Sequence, residues 1–379
     1  MKSFWTEDTK PLSSILLWWH SMDSVLCTCV FLLMGLGIWL ILAASPAITA
    51  HHNWNTFVLI KRHVLLLAPG IFILLTTSLF SKKNLLLSAL IIGIIMWGIV
   101  WAVVLWGVKI KGARRWISLG GFSLQPSEFL KPATSFLVAC ILSHPFFSRP
   151  WNFLLCLGLM GVVVCPLFFQ PDIGMVFLLF SITFGQCFVG GLPWLWVAGS
   201  VILAFLASLG TYFCFPHTVH RIQIFFSEGG SNIFGSQYQS IQSVKSIASG
   251  GLWGKGPGAG TIVNHLPDSH ADFIFAVAGE ELGLIMCLLI LGCYACIIFR
   301  CLWYMLQEKD KTYVLVLLGI MSQLLLQVFL NVGSVLRLIP TKGTTLPFIS
   351  YGGSSFLSLC WAMGMVLAIT RRYRDQEKW

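Results

Sequence analysis

The chain has 379 residues, of which 57% are hydrophobic and only 10% are charged, whereas soluble domains are typically about 45–50% apolar and about 25% charged. Its mean hydropathy is +0.83. Because so few charged side chains cannot cover a water-soluble globule of this length, composition excludes that class. The formal charge of +10 comes from basic residues scattered between apolar segments, which favours an anionic membrane surface or lipid as partner and argues against nucleic acid.

Apolar segments long enough to cross about 30 Å of hydrocarbon as helices recur along the chain. They lack the ten-residue alternation that is typical of barrel strands. We therefore predict an all-α, polytopic integral membrane protein that forms a single domain over residues 1–379, with about ten transmembrane helices. The predicted spans are 25–44, 64–80, 85–107, 128–143, 152–169, 173–190, 194–215, 273–299, 313–332 and 354–370.

The loops between these spans divide the 24 Lys and Arg residues evenly between the two faces, so charge bias alone does not orient the protein. One face carries both termini and short, plain connectors. The other face carries the motif-rich loops, including a long loop at about 216–272. We expect the first face to be cytoplasmic and the second, with its unusual positive charge, to meet an anionic substrate.

Two features of the long loop have local explanations. Apolar residues recur every three positions from Tyr238 to Ile247, with Gly250 following, which predicts a short amphipathic helix on the membrane surface. The glycine-rich segment 254–260 lacks the strand before and the Ser or Thr after its lysine that a Walker motif requires. We interpret it as a cluster of turns and not as a nucleotide site.

Charges at the membrane boundary are costly and therefore mark functional candidates. Glu128 and Lys131 begin the fourth predicted span just after Pro126, and their spacing of three places both on one helix face. They form either a local ion pair only or an ion pair that also contacts substrate. Asp172 precedes the sixth span, where we expect it to act as a helix cap.

Asp272 ends the long loop beside the apolar Phe273. It is either the cap of the eighth span or, with a pKa raised by its apolar surroundings, a general base. The His and Asp residues of 265–272 are too closely spaced to favour a metal site. Glu280 and Glu281 follow two turns later, and we expect one of them to pair with an arginine.

The last loop of this face, at about 337–355, contains two prolines and three glycines, which exclude a simple helix across it. Irregular backbone at membrane depth is tolerated only where it is buried in protein or lines a cavity. Lys342, the hydroxyl of Ser350 and the exposed amides around Gly352 would suit a phosphate-bearing headgroup.

Five segments together resemble the SEDS family (shape, elongation, division and sporulation), in the same order and over nearly the whole chain. The last of them is more similar to the division members than to the elongation members. Where the family pattern usually reads His-Thr-Asp-Phe, Ala271 replaces the threonine, which removes a hydroxyl and keeps the aspartate. The five segments are Gly112–Ile117, Gln125–Lys131, Tyr238–Gly256, Leu266–Gly283 and Pro340–Ser355.

The resemblance implies a peptidoglycan glycosyltransferase that polymerises lipid II on the outer face of the cytoplasmic membrane during cell division. It implies Asp272 as the catalytic base, with Glu128 and Lys131 in the same cavity. This agrees with the chemistry of the residues, because a carboxylate can take the proton of an acceptor hydroxyl. Arg114, Lys131 and Lys342 could stabilise the undecaprenyl diphosphate leaving group, and a single displacement would invert an α-linked donor.

Two other functions are possible, a lipid II flippase and a scaffold for division proteins. A flippase needs a polar path between both faces, whereas the candidate charges cluster at one face, which favours the enzyme. The resemblance also implies a class B penicillin-binding transpeptidase as a partner, with other division proteins. A divalent cation, Mg²⁺ or Mn²⁺, could help to neutralise the leaving group, although the sequence contains no dedicated set of metal ligands.

Overall fold

The computed structural model describes most of the chain, and each structural statement below concerns that part. The described residues are 11–52, 58–107, 109, 113–119, 122–145, 149–199, 202, 210, 236–266, 268–340 and 343–377.

Helices make up nearly all of the regular structure in these ranges. A short antiparallel hairpin of β1 (Ile117–Leu119) and β2 (Phe122–Leu124) and a 3₁₀ turn at Val263–His265 are the exceptions. The helices are α1 (Pro11–Ser21), α2 (Ser24–His52), α3 (Val58–Ser78), α4 (Lys82–Trp106), α5 (Ser127–Ser143), α6 (Arg149–Phe169), α7 (Ile173–Val189), α8 (Ser236–Gly250), α9 (Ile274–Gln307), α10 (Lys311–Val335) and α11 (Gly353–Glu377).

The all-α membrane architecture is confirmed. Seven helices in the described residues are long and apolar enough to cross a membrane, and α7 is a shorter apolar helix. Nine of the ten predicted spans coincide with α2–α7 and α9–α11, while α1 was not predicted. The remaining predicted span, 194–215, lies mostly outside the described residues.

The helices differ strongly in how much of their surface is buried by protein. In the most apolar 18-residue stretch of each helix, 67% of α10 and 89% of α11 is buried by protein, compared with 22% of α3 and of α4. α10 packs on α5 and α7, and α11 packs on α3 and α5. α5, α10 and α11 therefore form the centre of the bundle, where a polar side chain is shielded from lipid.

The predicted helix in the long loop is α8, and its most buried side chains are serines, although Ile247 of the apolar row also packs against the core. Ser240, Ser243 and Ser246 are buried, whereas Val244 is 38% exposed. The small serine side chains let α8 pack closely on α9, where the Ser246 hydroxyl donates to the Glu280 carboxylate at 2.8 Å. The period of three therefore correctly predicted a helix, which packs on α9 through its serines together with Ile247.

The glycine-rich segment 254–260 is a cluster of turns, as predicted, with several glycines at positive φ. Its amides bind carboxylates of the same chain, since the amide of Gly258 donates to Glu281 at 2.9 Å. Glu280 pairs with Lys255 at 2.6 Å. Among the described residues neither Glu280 nor Glu281 pairs with an arginine, because these tight turns bring a loop lysine to Glu280 and a loop amide to Glu281.

α9 is interrupted at Gly283, where φ is 81° and ψ is −178°. The backbone groups freed by the break bond to the preceding turns, with the Leu284 amide donating to Gly251 O at 3.0 Å and the Lys255 amide donating to Glu280 O at 2.9 Å. The break separates a short N-terminal piece of α9 from its long C-terminal part. The N-terminal piece begins two residues after Asp272.

Candidate active site

Three segments that lie far apart in the sequence meet at one end of the bundle. They are the first turns of α5, the turn 268–273, which we call the Asp272 turn, and the segment 343–352, which we call the last loop. The last loop leads directly into α11. Together, the last loop and α11 connect the Asp272 turn with the beginning of α5.

Hydrogen bonds join the last loop to the Asp272 turn. The Ser350 hydroxyl donates to Ala271 O at 2.6 Å, and the amide of Tyr351 donates to His270 O at 3.0 Å. Ser350 is 3% exposed and also accepts from the amide of Leu346 at 2.8 Å. Its hydroxyl therefore holds the two segments together, and the predicted contact with substrate remains a prediction.

Asp272 closes its turn with an amide that donates to Asp268 O at 3.0 Å. The N-cap residue of α9 is Phe273, which makes no side-chain capping bond. Asp272 therefore does not stand at the N-cap position of α9, and the role of its carboxylate stays a prediction. Its carboxylate lies against the last loop instead, because a Cβ built on Gly343 would stand 3.3 Å from Asp272 Oδ2.

Glu128 and Lys131 form the ion pair that their spacing predicted, with 2.7 Å between Lys131 Nζ and Glu128 Oε2. The lysine side chain is 1% exposed and the glutamate side chain 13%. α5 begins directly after Pro126, as expected. The Ser358 hydroxyl of α11 donates to Glu128 O at 2.8 Å, which attaches the beginning of α5 to the helix that follows the last loop.

The basic residues around 114 stabilise helix ends in the structure. Arg114 Nη1 donates to Val104 O at 3.1 Å and to Leu105 O at 3.3 Å, both in the last turn of α4, where a cation is favourable. The next residue, Arg115, pairs with Asp172 at 3.5 Å. Asp172 also accepts a capping hydrogen bond from α7, which confirms the predicted cap. The role of Arg114 toward a diphosphate stays a prediction.

Of two further predicted substrate contacts, Gly352 lies within the described residues and Lys342 does not. Gly352 O accepts from the amide of Phe356 at 2.8 Å, and a Cβ on Gly352 would lie 2.9 Å from Thr345 Cγ2. A side chain at this position would therefore press on the last loop. Lys342 lies outside the described residues.

Asn331, near the C-terminal end of α10, is a site residue that the sequence interpretation missed. Its side chain is fully buried, and Nδ2 donates to Asp272 O at 2.9 Å and to Thr344 O at 2.6 Å. The one available signal was a polar residue in an otherwise apolar helix end. That signal does not reveal which loops the amide contacts.

The described residues do not provide an obvious metal site. Within them, no group of three or more His, Cys, Asp or Glu side chains could hold a metal ion. The divalent cation considered above therefore stays a prediction, and no step of the chemistry is assigned to one. The groups available are a carboxylate, a buried ion pair and backbone amides.

Residues 23–375 match the model of the family described as "Cell cycle protein", which is named for FtsW, RodA and SpoVE. The chain is 36% identical over 366 residues to the probable peptidoglycan glycosyltransferase FtsW of Caulobacter vibrioides, covering 94% of this chain and 91% of that protein. It is 30% identical over 369 residues to stage V sporulation protein E of Bacillus subtilis, covering 93% and 98%.

Solved structures with the same architecture match over almost their full length. A chain from a peptidoglycan synthase complex, studied for the coordination of polymerization and crosslinking, is similar with a TM-score of 0.78 and 27% identity, over 94% of this chain and all of that one. The rod shape determining protein RodA of Thermus thermophilus is similar with a TM-score of 0.68 and 27% identity, over 94% and 98%.

Proposed function

Because the chain belongs to the FtsW, RodA and SpoVE family of cell cycle proteins, we propose that it polymerises lipid II into glycan strands during cell division, with Asp272 as general base. The protein is a multi-pass membrane protein of the bacterial cytoplasmic membrane. In this proposal both termini are cytoplasmic and the Asp272 turn faces outward. The observation that carries it is that the last loop binds the Asp272 turn and lies against the Asp272 carboxylate, while α11, which follows that loop, binds the beginning of α5.

The reaction needs one proton acceptor and a stabilised leaving group. Asp272 takes the proton of an acceptor sugar hydroxyl while that oxygen forms a bond to the anomeric carbon of the donor. The bond between the anomeric carbon and the diphosphate oxygen breaks, and the electron pair leaves with undecaprenyl diphosphate. Attack from the opposite side converts an α-linked donor into a β-linked glycan. Diphosphate needs no proton to leave, so a second carboxylic acid is unnecessary.

Positive charge near the diphosphate would stabilise the developing negative charge. Lys131 is the strongest candidate because its ammonium is buried from solvent, where electrostatic interactions are stronger than in water. Glu128 holds that ammonium in place by the ion pair. Arg114 and Lys342 complete the proposed basic set, with the Ser350 hydroxyl and the amides near Gly352 as neutral contacts.

A class B penicillin-binding transpeptidase is the proposed partner, which would crosslink the strand as it is made. The similarity to a chain from a complex that coordinates polymerization and crosslinking supports this pairing.

The proposed function is tested by incubating purified protein in liposomes with labelled lipid II, with and without the transpeptidase. We expect glycan ladders from the wild type and a loss of roughly 10²–10⁴-fold in rate for Asp272→Asn, the range that a general base supplies. Asp268→Asn is the matched control. It makes the same change in the same turn, at a φ of 57° that asparagine adopts readily, and it should keep near-normal rates.

The alternatives give different results in the same preparation. A flippase would move lipid II across the bilayer without making ladders, and Asp272→Asn would leave that transport intact. A scaffold would do neither and would still bind its partners. Absence of ladders with every partner and cation tried, together with transport of lipid II, would overturn the polymerase assignment.

A further inference from the structure

Asn331 bridges two segments that the proposed reaction needs in a fixed relation. Its Nδ2 donates to the carbonyl of Asp272 and to that of Thr344. Thr344 directly follows Gly343, where an added Cβ would lie 3.3 Å from Asp272 Oδ2. One amide group therefore fixes both the backbone of the base and the loop that its carboxylate faces.

The orientation of this amide follows from its partners. Both partners are carbonyl oxygens, which only accept hydrogen bonds, so the NH₂ group must face them. The reverse orientation would place Oδ1 against two oxygens. Among the described residues Oδ1 has no hydrogen-bond partner, so donation to the two loops is the contact that Asn331 makes with its side chain.

Asn331 also sits on a rigid support. It belongs to α10, which packs against α5 and α7 in the centre of the bundle, and its side chain is fully buried. The Ser334 hydroxyl donates to its carbonyl at 2.8 Å. The Asp272 turn and the last loop are thus both attached to a buried helix and not only to each other.

We propose that Asn331 is a positioning residue for the Asp272 base. It sets where the carboxylate stands between its own turn and the last loop, and so whether the carboxylate reaches the acceptor hydroxyl. Proton transfer needs heavy atoms about 2.6–3.2 Å apart, and a displacement of about 1 Å can reduce a rate about 100-fold. This role rests on the proposed function of Asp272 as the base.

The test replaces the amide with an acid of the same shape. Asn331→Asp removes the two N–H donors, and we expect kcat to fall roughly 10–100-fold while KM for lipid II stays within about threefold. Asn152→Asp is the control. Asn152 is also a buried asparagine whose Nδ2 faces a backbone carbonyl and whose Oδ1 lacks a partner among the described residues. It lies in α6, where it bonds to the C-cap residue of α5, far from the beginning of α5, and should keep wild-type kinetics.

Combining substitutions distinguishes a purely structural role of Asn331 from positioning of the Asp272 base. In Asp272→Glu the carboxylate is already displaced by one methylene, so Asn331→Asp should cost much less there than in the wild type if it acts through the base. Equal cost in both backgrounds, or equal loss in Asn152→Asp, would overturn the proposal. Asn331→Ser, which keeps one donor, should be intermediate and provides a milder variant if Asn331→Asp does not fold.

A second readout does not depend on activity. Hydrogen exchange of the full-length protein should speed up in the Asp272 turn and the last loop of Asn331→Asp, and not in Asn152→Asp. If the wild type makes no glycan, the proposed function fails, whereas faster exchange would still support the positional role of Asn331. Unchanged exchange in both segments would overturn that role whatever the wild type does.

Discussion

The Glu128–Lys131 pair illustrates what burial does to a single residue. Spacing predicted that the two side chains share a helix face, and the structure adds that Lys131 is 1% exposed. A charge buried to that extent depends on its partner, because an unpaired buried charge is strongly unfavourable. Lys131 therefore contributes to stability in addition to its proposed role in the reaction, and the two contributions are separable by mutation.

Removing the lysine alone should be worse for folding than removing both charges. We expect Lys131→Met to lower the free energy of unfolding by about 3–5 kcal/mol, since Glu128 is left uncompensated. Glu128→Gln combined with Lys131→Met should recover most of that stability and still polymerise poorly, because the positive charge is missing. Thermal unfolding in detergent and ladder formation measure the two effects. A double variant with wild-type activity would remove Lys131 from the reaction.

At the scale of elements, the N-terminal end of α9 is held by the turns that precede it. The helix breaks at Gly283, and the freed backbone groups bond to residues 251–256. Glu280, fully buried, accepts from the amides of Thr261, Ile262 and Val263 at 2.8–3.0 Å. These hydrogen bonds lie between α8 and the Asp272 turn. The short piece of α9 before the break connects them to the candidate site.

Glycine is required at the break. A Cβ on Gly283 would lie 2.4 Å from Gly254 N and from Leu252 O, at a φ of 81°, so Gly283→Ala should destabilise the protein by about 1–3 kcal/mol or more. Gly292→Ala is the control in the same helix, because a Cβ there meets nothing within 4 Å. It should be neutral or stabilise by up to about 1 kcal/mol. Thermal unfolding of the two variants measures this, and equal melting temperatures would contradict the role of the break.

At the scale of the whole molecule, ion pairs tie distant helices together at the end opposite the candidate site. Asp23, just before α2, pairs with Arg300 of α9 at 2.8 Å and accepts from the Tyr304 hydroxyl. Lys82 of α4 pairs with Asp310, the N-cap of α10. These contacts join the first span to the later spans and belong to the face that we propose to be cytoplasmic.

The Asp23 contact makes stability depend on pH. Burial opposes ionisation of Asp23, but hydrogen bonds from Tyr304, the Leu26 amide and Arg300 outweigh it and hold the pKa of the carboxyl below its usual 3.8. The stabilisation is therefore present above that value and is lost as pH falls through the lower, folded pKa. Melting temperature should fall on acidification below about pH 4 more steeply for the wild type than for Asp23→Asn. Parallel curves would contradict the prediction.

The sequence by itself determined the membrane class, nine of the spans, the helix in the long loop and the Glu128–Lys131 pair. These follow from local rules, because hydrocarbon thickness sets helix length and a helix satisfies its own backbone. Motif resemblance singled out Asp272. Only the tertiary structure decided which groups meet: Asn331 and Asp272 are 59 residues apart, and Ser350 and Ala271 are 79 apart. Such contacts depend on how helices pack and how loops run between them, which helical periodicity does not specify.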